Sequence, residues 1–163
     1  MIPDKVRTVL EAHGLKPLEF EPGSTPTAQM AAERLGVIQA RIAKSLLFRS
    51  KAGGYFMVVC PGDKRIGSGT LKQVLGAKVS MADAEETERV TGFRPGGVCP
   101  FGIDGVEIFL DRELGSYESV FPAAGTDATG VPTTLDQLAR ITGGRVVDFP
   151  AQGPAGAGAA GTV

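Results

Sequence analysis

The chain has one histidine, His13, and only two cysteines, Cys60 and Cys99, among its 163 residues. These scarcities exclude much chemistry. A zinc site needs several His or Cys ligands grouped closely, and they are missing. A Ser-His-Asp or Cys-His arrangement would depend on His13 as its base. His13 lies at the end of the first predicted helix, just before Gly14. There its ring suits the negative end of the helix dipole and reads as a C-terminal cap. Histidine-based catalysis is therefore not expected, and the sequence asks for no metal or cofactor. The two thiols can pair, but nothing requires it, and a cytosolic chain keeps them reduced. No apolar run approaches the ~20 residues that cross a bilayer, so no membrane partner is expected. The start, Met1-Ile2-Pro3-Asp4-Lys5, has no basic region followed by an apolar stretch. The expectation is a cytoplasmic protein without a secretory leader.

What is present describes an ordinary globular chain, 42% apolar and 21% charged. Its length suits one domain with a real core, expected over residues 1–149. Residues 150–163 are mostly Ala and Gly and read as a disordered tail. The net charge of −1 hides a segregation. Between Arg41 and Lys78 eight basic residues meet one acid, Asp63, for a net +7, while the stretch from Val79 onward carries −7. A basic middle can grip a polyanion, or its cations can scatter and pair with the acidic half.

Periodicity predicts helices over Asp4–Ala12, Thr27–Leu35, Thr70–Leu75, Asp83–Val90 and Thr134–Ile141. Asp83 followed by Glu86 suggests a capping box. Strands are predicted over Lys16–Glu21, Ile42–Arg49, Tyr55–Cys60, Val106–Leu110, Ser119–Ala123, near Val131, and over Arg145–Phe149. Gly53-Gly54 closes a hairpin. Hairpins mixed with helices give an α+β fold, a single domain with a mixed central sheet flanked by helices.

Three segments carry candidate chemistry. Thr91–Gly102 holds four glycines and two prolines, so it is neither a regular helix nor a central strand. It is a tight connection, or a rigid loop whose exposed backbone dipoles grip a polar substrate. Gly67-Ser68-Gly69-Thr70 precedes a helix but lacks the remaining residues of a Walker or dinucleotide loop. Ser68 or Thr70 reads better as a helix cap, while Lys64, Arg65 and Lys72 nearby can meet phosphates as simple charges. Lys44 stands inside the apolar run Ile42-Ala43-Lys44-Ser45-Leu46-Leu47-Phe48. An ammonium there either snorkels from a strand end or faces a cleft to hold an anion or a polarised oxygen.

Ala43-Lys44-Ser45-Leu46-Leu47, Leu75-Gly76-Ala77-Lys78, Thr91-Gly92-Phe93 and Gly96-Gly97-Val98-Cys99-Pro100-Phe101-Gly102 follow one another in a familiar order. In that order the chain resembles the YbaK/EbsC family, the prolyl-tRNA-synthetase-associated editing domains that act as aminoacyl-tRNA deacylases. The resemblance runs from about residue 3 to residue 149. It implies a curved, mixed central sheet and hydrolysis of a mischarged aminoacyl ester on tRNA, most simply tRNA(Pro), with prolyl-tRNA synthetase as an associated partner. It also implies no metal, no cofactor and no protein nucleophile. The family's important lysine falls on Lys44, and its pocket loop on Gly96 to Gly102, with Gly96 and Gly97 as backbone contacts. Phe20, Thr27, Ser45, Cys99, Pro100, Phe101, Gly102 and Gly130 are implied around the substrate, and Lys64, Arg65 and Lys72 are expected against tRNA. The chain departs from the bacterial Cys-tRNA(Pro) deacylases at Cys99, where serine is usual, at Gly130, where they carry Asp, and at Phe20, where tyrosine is common. Segment Ser24-Thr25-Pro26-Thr27 differs too. Cysteinyl, alanyl, seryl and threonyl esters all stay open. A noncatalytic tRNA- or nucleotide-binding module and a hydrolase of small acyl esters are the rival readings.

Overall fold

The computed structural model describes residues 1–150, so the expected tail lies almost wholly outside the described residues. Its frame is a five-stranded sheet of order β4-β2-β3-β5-β7. The hairpin of β2 (Ala43–Ser50) and β3 (Tyr55–Pro61) forms its middle. Gly53 and Gly54 sit at φ +100° and +86°, which is why this tight turn uses two glycines. β3 then pairs in parallel with β5 (Glu107–Asp111), and β5 in parallel with β7 (Arg145–Val147). β4 (Val79–Met81) adds antiparallel to the far end of β2, over Phe48–Ser50 only. The sheet is therefore mixed, as the α+β expectation requires.

β3 is the central strand, and its residues alternate between two cores. Met57 and Val59 join Val6 and Leu10 of α1 (Asp4–Ala12) and Leu135 and Leu138 of α5 (Leu135–Thr142) on one face. Val58 and Cys60 join Phe48, Phe109, Phe149 and the Leu71 and Leu75 pair of α3 (Ser68–Leu75) on the other. Helices thus cover both faces, which suits strands that are parallel and apolar throughout. A small third cluster sets Ala31 and Ala32 of α2 (Ala28–Leu35) against Ile42. β1 (Leu18–Glu19) and β6 (Thr129–Gly130) form a separate two-stranded ribbon beside it.

The structure revises several expected elements. Ser119–Ala123 makes two isolated bridges, Val120 to Thr133 and Phe121 to Ile42, and no named strand. Pro122 lacks the N–H that a continued ladder would need. The expected strand near Val131 lies one step earlier, at Thr129–Gly130. β4 was not expected, since three residues are too few for a periodic signal. In α4 (Ala84–Thr91) Asp83 accepts the Glu86 N–H, but the Glu86 carboxylate bonds Arg49 and Tyr55, so the capping box is half formed. A complete box stands at α5, between Thr134 and Gln137. Among the described residues no helix is long and apolar enough to cross a membrane.

Candidate active site

β2 has one edge on β3, and its other edge is covered only at its ends. Ala43 N–H donates to Phe121 O at 3.1 Å, and Leu47 O accepts from Ala82 N–H at 3.0 Å. Ala43, Ser45 and Leu47 turn their N–H and C=O groups to the same side, as alternate strand residues do. Ser45 therefore aims its backbone groups into the gap between the two covered ends. A cavity of about 370 Å³ opens at this gap. Ala28, Ala31 and Leu35 of α2 form one apolar wall, and Phe121 and Ala123 extend it. The Pro95–Gly96 bend and Val98 also line it.

Lys44 and Ser45 both line the cavity. As neighbours on a strand they point to opposite faces, and both reach it because it opens at the strand edge. The Lys44 ammonium is half-buried and donates to the backbone O of Lys64 at 2.8 Å. One acceptor leaves a Lys donor capacity for a ligand. The Ser45 Oγ is buried without a partner, and so is the Oγ1 of Thr25, a residue only 4% exposed. Thr25 is held by its N–H, which donates to Asp127 O at 2.6 Å. Both residues line the cavity, and a buried hydroxyl without a partner beside it is a group that a water or a polar ligand can satisfy. Thr27 also lines it and caps α2, accepting the Met30 N–H at 3.1 Å.

Gly96 lines the cavity. Its φ is +93°, and a Cβ there would stand 3.1 Å from Pro26 Cα and O. The bend brings the Gly96 backbone to the cavity and leaves no room for a side chain. Gly97 faces away from it, toward a second, polar cleft of about 360 Å³. A Cβ on Gly97 would lie 2.7 Å from Gly125 C and Thr126 N, so its role in the loop is close backbone packing.

Other expected site residues lie elsewhere. Cys99 is fully buried in the α1–α5 core and does not line the cavity. Burial pushes its thiol up to about 12, outweighing a backbone hydrogen bond at Phe101 that favours the thiolate, and it leaves the Cys60 thiol at about 12 as well. Neither is a usable nucleophile. Pro100 and Phe101 are buried behind the loop, and Gly102 packs on the Lys5 backbone, where an added Cβ would stand 3.0 Å from Lys5 O. Phe20 is half-buried outside the cavity, under the Arg34 guanidinium at 4.6 Å. Gly130 sits one layer out, where a Cβ would touch Leu35 Cδ1 at 3.0 Å and push that cavity wall inward. Arg65 and Lys72 are exposed. Lys64 is not: it is 6% exposed, and its ammonium contacts Asp111 Oδ2 at 2.7 Å and Glu113 Oε1 at 3.1 Å. A lysine so enclosed cannot reach a tRNA phosphate. Ala28, Phe121 and Ala123 were missed, because loop and chain crossings bring them to the site and no local pattern marks them.

The arrangement offers a cation, two hydroxyls, a rigid backbone bend and an apolar wall. Among the described residues no three His, Cys, Asp or Glu side chains group as metal ligands. Such a site can position a polarised carbonyl ester and an attacking water without covalent catalysis.

A profile of the aminoacyl-tRNA editing domain matches residues 22–141, a span that holds every cavity-lining residue named above. The chain belongs to the aminoacyl-tRNA editing domain family. The family expected from the order of motifs is thus the one found. The uncharacterised protein YwhH of Bacillus subtilis is 37% identical over 129 residues, covering 78% of this chain and 82% of that protein. A protein of Enterococcus faecalis provisionally named the Cys-tRNA(Pro)/Cys-tRNA(Cys) deacylase EbsC is 26% identical, covering 76% of each. A solved structure described, provisionally, as a trans-editing enzyme for prolyl-tRNA synthetase matches with a TM-score of 0.82 and 32% identity, covering 94% of this chain and 100% of that one.

Proposed function

We propose that this editing domain is a trans-acting aminoacyl-tRNA deacylase that hydrolyses the ester of an amino acid wrongly attached to tRNA(Pro). The observation that carries the reading is one cavity of about 370 Å³ lined by Lys44, by the Gly96 bend, and by Thr25 and Ser45, whose buried hydroxyls have no partner. An aminoacyl ester is already activated, so the work left is to place a water and stabilise charge. The water oxygen attacks the ester carbonyl, and negative charge grows on the carbonyl oxygen. The bond to the ribose oxygen then breaks, and that oxygen takes the proton the water gives up. The products are a free amino acid and a tRNA with its hydroxyl restored. Lys44 stabilises developing charge or the terminal phosphate, and backbone groups at Gly96 hold the carbonyl or the α-amino group. Thr25, Thr27 and Ser45 face the acyl group, and the apolar wall admits its side chain. Prolyl-tRNA synthetase is the enzyme whose errors would supply this substrate.

The test is a deacylation screen over tRNA(Pro) charged with Ala, Cys, Ser or Thr. At least one should be hydrolysed well above the spontaneous rate, and Lys44→Ala should lower kcat/KM by ~10²–10³, the usual effect of losing one oxyanion donor. Wild-type rates from a folded Lys44→Ala protein would sink the role given to Lys44. Tight tRNA binding with no turnover on any ester would favour a noncatalytic module.

A further inference from the structure

The Lys44 ammonium is held by a backbone oxygen, and that oxygen belongs to a residue whose own side chain is unusually fixed. Lys64 O accepts from Lys44 Nζ at 2.8 Å. The Lys64 ammonium runs the other way, to Asp111 at 2.7 Å and Glu113 at 3.1 Å. Asp111 is 1% exposed and sits at the end of β5, the strand next to the central one. Its second oxygen accepts the Glu113 N–H at 3.0 Å, so the carboxylate is fixed as well. The Lys64 N–H also bonds Pro61 O at 3.0 Å, which closes the turn leaving β3. The sheet, the turn and the cavity lysine are thereby joined through one residue.

We propose that Lys64 is a positioning residue, whose buried ion pair with Asp111 and Glu113 locks the turn after β3 so that its carbonyl orients the Lys44 ammonium in the cavity. This rests on the reading of the cavity as a deacylase site, and it adds a residue that does not touch substrate. A lysine side chain has many rotamers to lose, so a fixed acceptor spares part of that loss when substrate arrives. Burial pulls the Lys64 ammonium down, but the hydrogen bonds and charges of Asp111 and Glu113 outweigh it, and the net shift is upward. Burial also pushes the Asp111 carboxyl up, yet with Lys64 Nζ and the Glu113 N–H both donating to it, the ionised form is the one its contacts satisfy. As a purely structural element the pair would be an odd choice, because apolar groups of similar volume generally serve stability as well. Its geometry makes sense if what it fixes is a direction.

The experiment compares wild type with Lys64→Met/Asp111→Asn, which removes both charges together and leaves no lone buried ion. Glu113→Gln is the milder second variant, since the Glu113 side chain is 45% exposed and its loss leaves the buried pair intact. Two quantities are read: kcat and KM on the aminoacyl-tRNA ester that the wild type hydrolyses, and the 1H–15N signal of the Lys44 ammonium by NMR. The double variant should stay folded, lose about tenfold in kcat with KM within about twofold, and lose the slowed hydrogen exchange of the Lys44 signal. Glu113→Gln should move both readouts the same way by a smaller factor. An unchanged Lys44 signal with an unchanged kcat would overturn the proposal. So would a change confined to KM and its salt dependence, which would make Lys64 a phosphate contact. If the wild type hydrolyses no aminoacyl-tRNA, the deacylase reading fails, while the NMR signal still decides whether Lys64 orients Lys44.

Discussion

Lys44 and Cys99 exchange importance between sequence and structure. Both looked like residues of one pocket, but only Lys44 reaches it. Cys99 faces the α1–α5 core, and burial pushes both its thiol and that of Cys60 from an ordinary 9.0 to about 12. The folded protein should therefore leave both thiols unlabelled by a disulfide reagent at pH 8, and denaturant should release two. Prompt labelling of the native protein would contradict the burial. The same shift has a sign for stability. A thiol whose folded value is raised contributes stability below its unfolded value and loses it as pH climbs toward the folded one. The unfolding free energy should thus fall as pH rises from about 9 toward about 12, by up to about 1.4 kcal/mol per pH unit for each buried thiol. Chemical denaturation between pH 9 and 10.5, below the upward-shifted Lys64 range, should show a shallower fall in the Cys60→Ala/Cys99→Ala variant. Equal slopes would show that these thiols do not govern the alkaline limit.

The elements were legible wherever a single segment carried its own signal. α2 runs from Ala28 to Leu35 between the Thr27 and Gly36 caps, and the β2–β3 hairpin turns at its two glycines. Elements made by partners were not legible. β4 exists because the end of β2 offers an open edge, and the Glu86 side chain left its capping box because Arg49 and Tyr55 offered it better partners. The glycine loop shows both kinds of information at once. Its composition marked it as rigid, but not that Gly96 faces the cavity while Gly97 packs against the chain at Gly125. That difference is testable. Gly97→Ala should cost about 1–3 kcal/mol, since its Cβ would meet backbone atoms at 2.7 Å that cannot swing aside. Gly69→Ala should cost nothing, because Gly69 lies in α3 with no atom within 4 Å of a new Cβ. Thermal unfolding of the two variants reads the contrast, and equal midpoints would mean that the loop is looser than its contacts require.

At the scale of the whole molecule, the basic middle of the chain divides into two sets. Arg41 bonds Ser119, Lys44 faces the cavity, Arg49 pairs with Glu86, and Lys64 is buried with Asp111. Lys51, Arg65, Lys72 and Lys78 are exposed, and none of them forms a salt bridge among the described residues. The segregated +7 of the sequence thus leaves four cations to meet a polyanion, and Arg65 directly follows the residue whose carbonyl holds Lys44. Phosphates near the reacting end of a tRNA would pass that turn. Each phosphate contact releases counterion, so log(kcat/KM) on intact tRNA should fall with log salt with a slope of magnitude about 3–4 if all four take part. Arg65→Ala/Lys72→Ala should reduce that slope by about 1.5–2 while leaving hydrolysis of a short aminoacyl-adenosine fragment unchanged. The fragment itself should react with little salt dependence, because the cavity needs only the ester. If intact tRNA and fragment reacted equally well at every salt concentration, the exposed cations would have no part in recognition, and the site would be that of a hydrolase for small esters.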